Sequence, residues 1–381
     1  MAYLVEGRVY AGDGLLVNGV PGTNLQHSLA PVCRAIYCDW ARNKRGEIEN
    51  FEGRLAILVR LLPEFCARPW GRRTLALFFE SAAEEFSQPI GEAWLSSLDC
   101  KIEGRSVPRG VRTLSALWQS MENPERGTAL AGLSRFPLLV KILFTSDKLS
   151  VQVHPDDEFA RKHEREPWGK SEVWYVLEAE PGAWVRVGLA AGVAPSKLNA
   201  LLGTTAVEEA LRKIAVRRGD VVSIPAGTLH SIGPGLILCE IQQHSDVTYR
   251  VYDYDRPGLD GRPRELHMDK ARAAVKIDTP QAGLYTHGAP KEGGERPVLF
   301  SGNRFIVEHF EANTRVSLPS DPKHFDLILT LAGAGSIKTA GEEMKFKQVE
   351  AFLVAANAGG IEIVPDRPSR WLRTYPVGQW Q

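Results

Sequence analysis

The sequence has no excess charge of either sign, since its 46 Lys and Arg residues balance 46 Asp and Glu residues. A protein that binds nucleic acid over a broad face is usually basic, and a neutral chain argues against such a partner. A small cationic pocket remains compatible with zero net charge. We therefore expect no nucleic-acid partner.

Long hydrophobic runs and closely spaced cysteine pairs are also missing. Apolar stretches such as 136–144 are shorter than a membrane helix, and this one is interrupted by Lys141. Residues 1–7 have neither the basic start nor the apolar core of a secretory leader. The scattered cysteines form no C-x-x-C pair, which favours free thiols in a reducing compartment. We expect a cytoplasmic protein without membrane contact. The cysteines are Cys33, Cys38, Cys66, Cys100 and Cys239.

The chain contains many short strand-like segments separated by Gly and Pro turns. With 381 residues it is long enough for two or three folding units. Helices are predicted at 111–121 and 265–275, and a helical insert at 195–214 contains the capping-box pattern Thr205 to Glu208. This pattern favours β-sandwich or barrel units with helical inserts over alternating βαβ units. The predicted strands are 3–9, 14–17, 138–143, 149–154, 173–177, 184–189, 221–224, 236–241, 248–252, 304–310, 326–331, 335–338, 351–354 and 361–364.

Two strand-rich units are predicted, at about 136–260 and 295–381. They resemble a weak internal repeat, because residues 219–230 and 349–360 both read as an acidic turn, a short strand and a loop. The first copy ends at His230, whereas the second has Gly360 there. We expect any metal to lie in the first unit.

Candidate metal ligands stand on the strands of the first unit. Gln152 and His154 share one strand face because they are two residues apart. Glu172 opens the following strand, and the Pro225 turn delivers His230. Two imidazoles and a carboxylate, with one position open, form a catalytic zinc arrangement, and the amide would add a weak oxygen donor. The same ligand types would accept iron, manganese or cobalt.

Charged side chains accumulate near these positions. Lys170 shares a strand face with Glu172, and a second group follows along the chain. A solvated strand edge is one interpretation. The other is an anion site beside a metal, because arginine presents forked donors that fit phosphate oxygens. The second group consists of Glu240, Asp246, Arg250 and Arg256.

Several motifs together resemble those of the type I phosphomannose isomerases, and the shorter bacterial branch fits best. The resemblance covers about residues 61–381, with the motifs in the same order. The four that carry the candidate site residues are Leu149-Ser-Val-Gln-Val-His-Pro-Asp-Asp157, Gly169-Lys-Ser-Glu-Val-Trp-Tyr175, Ile224-Pro-Ala-Gly-Thr-Leu-His230 and Glu240-Ile-Gln-Gln243 with Thr248-Tyr-Arg-Val-Tyr-Asp253. The others are Arg68-Pro-Trp-Gly71, Pro89-Ile-Gly-Glu-Ala-Trp94, Phe136-Pro-Leu-Leu-Val-Lys141 and Arg264-Glu-Leu-His267.

The resemblance implies a bicupin of two jelly-roll β-barrels that interconverts mannose 6-phosphate and fructose 6-phosphate through a cis-enediol. It implies one Zn²⁺ per chain, although another divalent metal would fit, and a small sugar phosphate as substrate. The positions that match the family's metal ligands are Gln152, His154, Glu172 and His230. Those that match its substrate pocket are Ser150, Lys170, Glu240, Asp246, Arg250 and Arg256.

Within that pocket we expect distinct roles. Lys170 and Asp246 are the candidates for proton transfer, and Arg250 is expected to stabilise the enediolate oxygens. Ser150 and Glu240 are expected to contact the substrate, and Arg256 is expected to contact its phosphate.

The sequence departs from the family in two places. Gly169 stands where the longer branch has a histidine, so ring opening needs another catalyst, such as His154 or water. Residues 1–60 match no motif, and we prefer a sheet edge for them over a cover of the pocket or a disordered extension.

Three domains are therefore expected: an N-terminal extension of unknown role (1–60), a metal-binding catalytic cupin domain with helical inserts (61–290), and a C-terminal barrel without metal ligands (291–381). A non-catalytic sugar-binding or regulatory cupin and an iron-dependent cupin oxygenase remain as alternatives. A non-catalytic binder would have no need to keep the complete ligand set together with Lys170. The surrounding lysine and arginine residues fit a phosphate ester better than the uncharged substrate of an oxygenase. The sequence is compatible with a monomer or a homodimer.

Overall fold

The computed structural model describes residues 57–76, 78–79, 85–277, 279, 281–285 and 298–380, together with the backbone of three strands near the N-terminus. The chain divides into two compact units, Met1–Arg54 and Leu55–Gln381. In the first unit three strands pair antiparallel in the order β1-β2-β3. The third lies within the segment predicted at 14–17, whereas the single strand predicted at 3–9 is wrong, because two antiparallel strands begin within it. These strands are Tyr3–Val5 (β1), Arg8–Ala11 (β2) and Leu15–Leu16 (β3).

The second unit is built mainly of antiparallel strands. Its first part contains Leu58–Leu61 (β4), Glu64–Arg72 (β5), Ile90–Trp94 (β6), Ile102–Glu103 (β7), Leu138–Thr145 (β8), Val151–Val153 (β9), Glu172–Ala179 (β10), Trp184–Leu189 (β11), Leu211–Ala215 (β12), Val221–Ile224 (β13), His230–Ile232 (β14), Leu236–Gln243 (β15), Tyr249–Tyr252 (β16) and Gly283–Leu284 (β17). Its last part contains Val298–Ser301 (β18), Phe305–Ala312 (β19), Val316–Leu318 (β20), Asp326–Ala332 (β21), Gly335–Lys338 (β22), Glu343–Phe346 (β23), Glu350–Val354 (β24), Ile361–Pro365 (β25) and Ser369–Pro376 (β26).

Helices are short, and within the described residues none is long and apolar enough to cross a membrane. The helices predicted at 111–121 and 265–275 are confirmed with the shorter bounds Leu114–Ser120 (α1) and Met268–Ala274 (α6). The Thr113 side chain caps α1 by accepting a hydrogen bond from the Ala116 amide. The α-helices are Leu114–Ser120 (α1), Asn123–Arg126 (α2), Asp157–His163 (α3), Leu198–Leu201 (α4), Ala206–Glu209 (α5) and Met268–Ala274 (α6), with 3₁₀ turns at Thr128–Leu130 and Pro195–Lys197.

The predicted helical insert at 195–214 is wrong in its last four residues. Residues Leu211–Ala215 form strand β12, which pairs with β11 at the edge of a sheet. A free sheet edge offers these residues backbone partners that a helix end does not, so tertiary pairing overrides the local pattern. The predicted capping box is also wrong, because the Thr205 side chain makes no capping hydrogen bond.

The strands of the second unit assemble into two pairs of sheets. The first pair has the orders β17-β13-β10-β15-β8-β6-β5 and β12-β11-β14-β9-β16, and the second has β18-β19-β26-β21-β24-β4-β7 and β20-β25-β22-β23. None of these sheets closes on itself within the described residues. One apolar core fills each pair, and a further core lies between the two seven-stranded sheets. We call the two pairs the first and second sandwiches.

Strand β4 belongs to the second sandwich. It pairs with β24 through contacts such as Leu58 to Val354, although most of β4 lies within the predicted extension at 1–60. The rest of that extension, apart from Ile57 and the backbone of β1–β3, lies outside the described residues. Residues 58–60 therefore complete a sheet.

The two seven-stranded sheets repeat the same strand arrangement. The neighbours β13-β10-β15-β8 of the first correspond to β24-β21-β26-β19 of the second. Glu172 and Asp326 each open the equivalent strand, and the Glu240–Lys141 pair corresponds to the Arg373–Glu308 pair. The internal repeat predicted at 219–230 and 349–360 places β13 and β24 at equivalent positions.

In the second sandwich these interior positions form a buried ion cluster. The Arg373 guanidinium lies 2.8 Å from Asp326 Oδ1 and 3.3 Å from Glu308 Oε2, and all three side chains are 2% exposed. Removing one partner of a buried ion pair costs about 3–5 kcal/mol because the remaining charge stays desolvated.

We expect Arg373→Met to lower the free energy of unfolding by about 3–5 kcal/mol, because both carboxylates lose this guanidinium. Urea unfolding at neutral pH measures the effect. The matched control is Arg315→Met, since Arg315 is 61% exposed and lies 3.7 Å from Glu362; it should change stability by about 0.5 kcal/mol or less. Equal losses in the two variants would contradict the prediction.

Candidate active site

Three side chains converge between the two sheets of the first sandwich. Glu172 opens β10, His230 opens β14 and His154 directly follows β9. Glu172 Oε2 lies 3.5 Å from His154 Nε2, and Glu172 Oε1 lies 3.5 Å from His230 Nε2. One ligand atom from each of the three lies within 4.8 Å of the others, and all three side chains are buried. The structure thus brings together three of the four residues that the sequence offered as metal ligands.

Hydrogen bonds to backbone carbonyls fix both imidazoles. His154 Nδ1 lies 2.9 Å from the Val247 carbonyl oxygen, and His230 Nδ1 lies 2.9 Å from that of Thr228. A carbonyl only accepts, so each Nδ1 carries the proton and each Nε2 presents its lone pair to the site. Burial, with His154 nearby, lowers the pKa of His230 to about 3. Burial, with Lys170 nearby, also lowers the pKa of His154, so both rings are neutral at pH 7.

The Glu172 carboxylate is the negatively charged member of this group, and its oxygens are free to bind a cation. Neither of its oxygens accepts a well-formed hydrogen bond from any residue that the structure describes. Burial alone would raise the pKa of Glu172, but the neighbouring Lys170 ammonium holds that pKa well below its usual range. Two neutral imidazoles and an ionised, unbonded carboxylate are the donor set that a divalent cation requires. The residues present therefore fit a metal ion.

Gln152 lies beside these ligands in a different orientation from the one predicted. Its Nε2 is 3.2 Å from His230 Nε2, and its Oε1 accepts a hydrogen bond from Ser150 Oγ at 3.1 Å. A glutamine binds metal through its oxygen, so it would have to turn its amide to act as a ligand. A ligand role for Gln152 stays a prediction.

Lys170 stands at the border between the ligands and an open cleft. Its Nζ lies 3.0 Å from Glu172 Oε2, 3.2 Å from His154 Nε2 and 3.9 Å from Glu240 Oε1. The side chain is only 4% exposed. Its ammonium group offsets the Glu172 charge and reaches the edge of the cleft.

The cleft has a volume of about 480 Å³ and opens onto the ligand set, because Gln152 and Lys170 line it. Most of the predicted substrate residues line it as well. These are Ser150, Lys170, Glu240, Asp246 and Arg250.

Two acidic groups in the cleft have contrasting environments. Glu240 is 5% exposed and accepts a hydrogen bond from Trp174 Nε1 at 3.0 Å. Burial and the neighbouring Glu172 raise the pKa of Glu240 to about 7, against the opposing effect of Lys170. Asp246, whose side chain is 56% exposed, lies 3.3 Å from Lys141 Nζ. Glu240 therefore changes charge near neutral pH, whereas Asp246 lies at the solvent side.

Comparison with known proteins identifies the family. Residues 58–177 match the family described as phosphomannose isomerase type I, catalytic domain. Mannose-6-phosphate isomerase ManA of Bacillus subtilis is 33% identical over 305 residues, which cover 79% of this chain and 94% of that protein. The chain belongs to the type I phosphomannose isomerases. Mannose-6-phosphate isomerase of Streptococcus mutans is 38% identical over 215 residues, or 56% of this chain and 67% of that protein.

The fold agrees with this membership. The crystal structure of the mannose 6-phosphate isomerase from Bacillus subtilis superposes with a TM-score of 0.72 at 28% identity. The match covers 83% of this chain and 99% of that one. The structural similarity to that phosphomannose isomerase therefore extends over both sandwiches.

The structure turns Arg256 away from the cleft lining. Its guanidinium pairs with Asp147 Oδ2 at 2.8 Å and with Asp253 Oδ1 at 3.1 Å. It is not among the residues that line the cleft. Contact between Arg256 and a substrate phosphate stays a prediction, and it would require these ion pairs to open.

Other cleft residues received no role from the sequence. Lys141 is 2% exposed, lies 3.6 Å from Glu240 Oε1 and stands 4.5 Å from the centre of the Trp94 ring. The sequence does carry a signal for Lys141, because it is a lysine inside an otherwise apolar strand. A buried charge is costly unless it has a partner, so such a lysine predicts a polar site. Four further lining residues stand in motifs that carried the family resemblance, and they are Arg68, Glu92, Arg264 and His267.

Gly169 fills a position where no side chain fits. A Cβ atom there would lie 2.3 Å from the Pro155 carbonyl oxygen and 2.4 Å from the Asp156 carbonyl carbon. The histidine that the longer branch has at this point would need a different backbone. The structure thus explains this departure by close approach of two backbone segments.

We expect Gly169→Ala to lower stability by about 1–3 kcal/mol, as overpacking does, and to lower kcat by displacing Lys170. Thermal unfolding and steady-state kinetics measure the two effects. The control is Gly182→Ala, where φ is +84° and the space is open, so only backbone strain of about 1–2 kcal/mol applies. A kcat equal to that of the control variant would refute the steric argument.

Proposed function

We propose that this chain interconverts mannose 6-phosphate and fructose 6-phosphate, with one zinc ion held by His154, Glu172 and His230 and completed by Gln152. The observation that carries the proposal is the buried set of two neutral imidazoles and an unbonded carboxylate that opens onto a cationic cleft. Family membership supports the same reaction. Ligand types alone favour zinc no more strongly than cobalt or manganese.

The bound metal would act as a Lewis acid that polarises a substrate oxygen. The chain's own residues must then move the proton between C2 of the aldose and C1 of the ketose. We assign this transfer to Lys170, because its Nζ is the titratable atom at the border between ligands and cleft. Glu240, whose pKa is about 7, lies 3.9 Å from that Nζ and would take up the ammonium proton of Lys170, so that the free amine can accept the proton from the substrate carbon.

The phosphate group has a matching place in the cleft. Three arginines line it, and two have acidic partners: Arg68 pairs with Glu92 at 2.8 Å and Arg264 with Asp253 at 2.5 Å. Arg250 makes no ion pair with the described residues, and its Nε is buried without a hydrogen-bond partner among them. Burial and the Arg264 charge lower the pKa of Arg250, which indicates unbalanced positive charge. A dianionic phosphate would balance it.

The finer architecture is part of the proposal. We infer that each sandwich is a cupin jelly roll, that residues 61–290 form the catalytic domain and that 291–381 form the second barrel. Equivalent strand orders in the two seven-stranded sheets support the bicupin arrangement. Strand β4 adds residues 58–61 to the second sheet. Cytoplasmic location and a monomeric or homodimeric state stay predictions.

Metal analysis together with a coupled mannose 6-phosphate assay tests the function. We expect about one zinc per chain, turnover, loss of turnover after chelation and recovery on adding Zn²⁺. Metal without turnover would support the sugar-binding alternative, which the relatives do not favour, and oxygen consumption would support a cupin oxygenase.

A further inference from the structure

A short segment carries two of the most important side chains of the site. Residues 169–172 include both Lys170 and Glu172, so the backbone of this segment sets two positions at once. The Gly169 amide donates to Asp157 Oδ1 at 2.8 Å, and the Ser171 amide donates to Gln243 Oε1 at 3.0 Å. The segment is therefore held from the side by two acceptors outside it.

These two acceptors are joined to each other. Gln243 Nε2 donates to Asp157 Oδ1 at 2.9 Å, and the Gln243 amide donates to the Ser171 carbonyl at 3.2 Å. Asp157 Oδ1 thus receives two hydrogen bonds, one from the segment and one from its partner Gln243. Rotation of the Asp157 carboxylate would break both.

The second sandwich fixes the orientation of that carboxylate. Arg304, which directly precedes β19, donates from Nη2 to Asp157 Oδ2 and forms an ion pair with it. The Asp157 side chain is 15% exposed and that of Arg304 is 27% exposed. A charge-assisted bond in this partly buried setting favours one rotamer of Asp157.

A second contact comes from the end of the same sandwich. Trp168 Nε1, one residue before Gly169, donates to the Trp380 carbonyl at 2.9 Å. The two indole rings pack edge to face with centroids 5.2 Å apart, and both residues are 3% exposed. The Arg304 guanidinium lies 5.6 Å from the Trp380 ring centre, so the two contacts reinforce each other.

We propose that the second sandwich serves the reaction as a positioning element, with Arg304 acting through Asp157 on the segment 169–172. The inference rests on the proposed isomerase function. The chemistry needs Lys170 Nζ at the reacting carbons and Glu172 at the metal. A displacement of about 1 Å in such a group can cost about 10²-fold in rate. Arg304 touches neither substrate nor metal ligand and is a positioning residue.

The test compares Arg304→Gln with Arg304→Lys in the zinc-loaded full chain. We expect Arg304→Gln to lower kcat about 10-fold while KM changes about twofold or less, because the cleft arginines are untouched. Arg304→Lys should recover part of the loss, since it keeps the charge on Asp157. The matched control Arg315→Gln removes an exposed arginine of the same sandwich and should leave kcat unchanged.

A second measurement does not depend on turnover. We expect Arg304→Gln to weaken Co²⁺ binding by the apoprotein about 10-fold and to alter the visible spectrum of the cobalt protein, because Glu172 moves with the segment. Circular dichroism gives the folded fraction to which all values refer. Unchanged kcat and cobalt affinity, or losses that only follow the folded fraction, would overturn the proposal. Absence of turnover in the wild type would instead defeat the isomerase function, leaving the cobalt comparison valid.

Discussion

Replacing Glu172 by glutamine is expected to lower kcat/KM for mannose 6-phosphate by about 10³-fold or more and to remove most of the bound metal. The amide has the same shape but no charge, so the proposed site keeps only uncharged ligands. Lewis-acid stabilisation of a transition state is worth several kcal/mol, and about 4 kcal/mol corresponds to about 10³ in rate.

Metal content by elemental analysis and the coupled assay measure this loss. The buried Lys170 loses its neighbouring anion in this variant, so both values are referred to the folded fraction from circular dichroism. Glu343→Gln is the matched control, because Glu343 pairs with Lys338 on the exposed face of the second sandwich. Metal content and turnover like those of the control would rule out Glu172 as a ligand.

The second large effect is expected from Lys170→Met, which should lower kcat by about 10³-fold while the metal stays bound. Positioned proton transfer contributes about 10²–10⁴ in rate. The three ligands remain, and removal of a cation 3.0 Å from Glu172 Oε2 leaves that carboxylate more available to a metal. Loss of turnover with retained metal separates this variant from Glu172→Gln.

Single-turnover kinetics and elemental analysis of Lys170→Met check this expectation. Lys170→Arg keeps the positive charge but cannot release a proton near neutral pH, so it should be almost as inactive as Lys170→Met. Recovery of activity in Lys170→Arg would mean that Lys170 acts through charge alone. Near-normal turnover of Lys170→Met would remove it as the base and leave Glu240 and Asp246 as candidates.

The candidate metal-ligand set could be predicted from the sequence because local rules place most of its members. Alternation along β9 puts Gln152 and His154 on the same strand face, and a proline turn delivers His230 to the start of β14. The motifs that resemble the type I phosphomannose isomerases, found in the same order, then grouped these residues with Glu172. In the structure the candidate ligand atoms of His154, Glu172 and His230 lie within 4.8 Å of one another.

Contacts with residues that are distant in the chain decided where several side chains and one strand lie, and the sequence could not reveal these contacts. Arg250 and Arg256 lie six residues apart, yet Arg256 pairs with Asp147 and Asp253 while Arg250 lines the cleft. Asp147 is more than a hundred residues away in the chain, so no local pattern reveals this competition. The same holds for Leu211–Ala215, which became a strand because a distant edge offered it backbone partners.

The sequence by itself determined a neutral, mainly β chain and the residue types of one metal site. Balanced charges, period-two strands and short motifs act over a few residues, and these are visible without a fold. Only the tertiary structure decided that Lys141 enters the cleft and that Arg304 reaches Asp157 from 147 residues away. The position of Lys141 depends on how the strands of the first sandwich assemble, and the Arg304 contact depends on how the two sandwiches pack, and no local pattern encodes either.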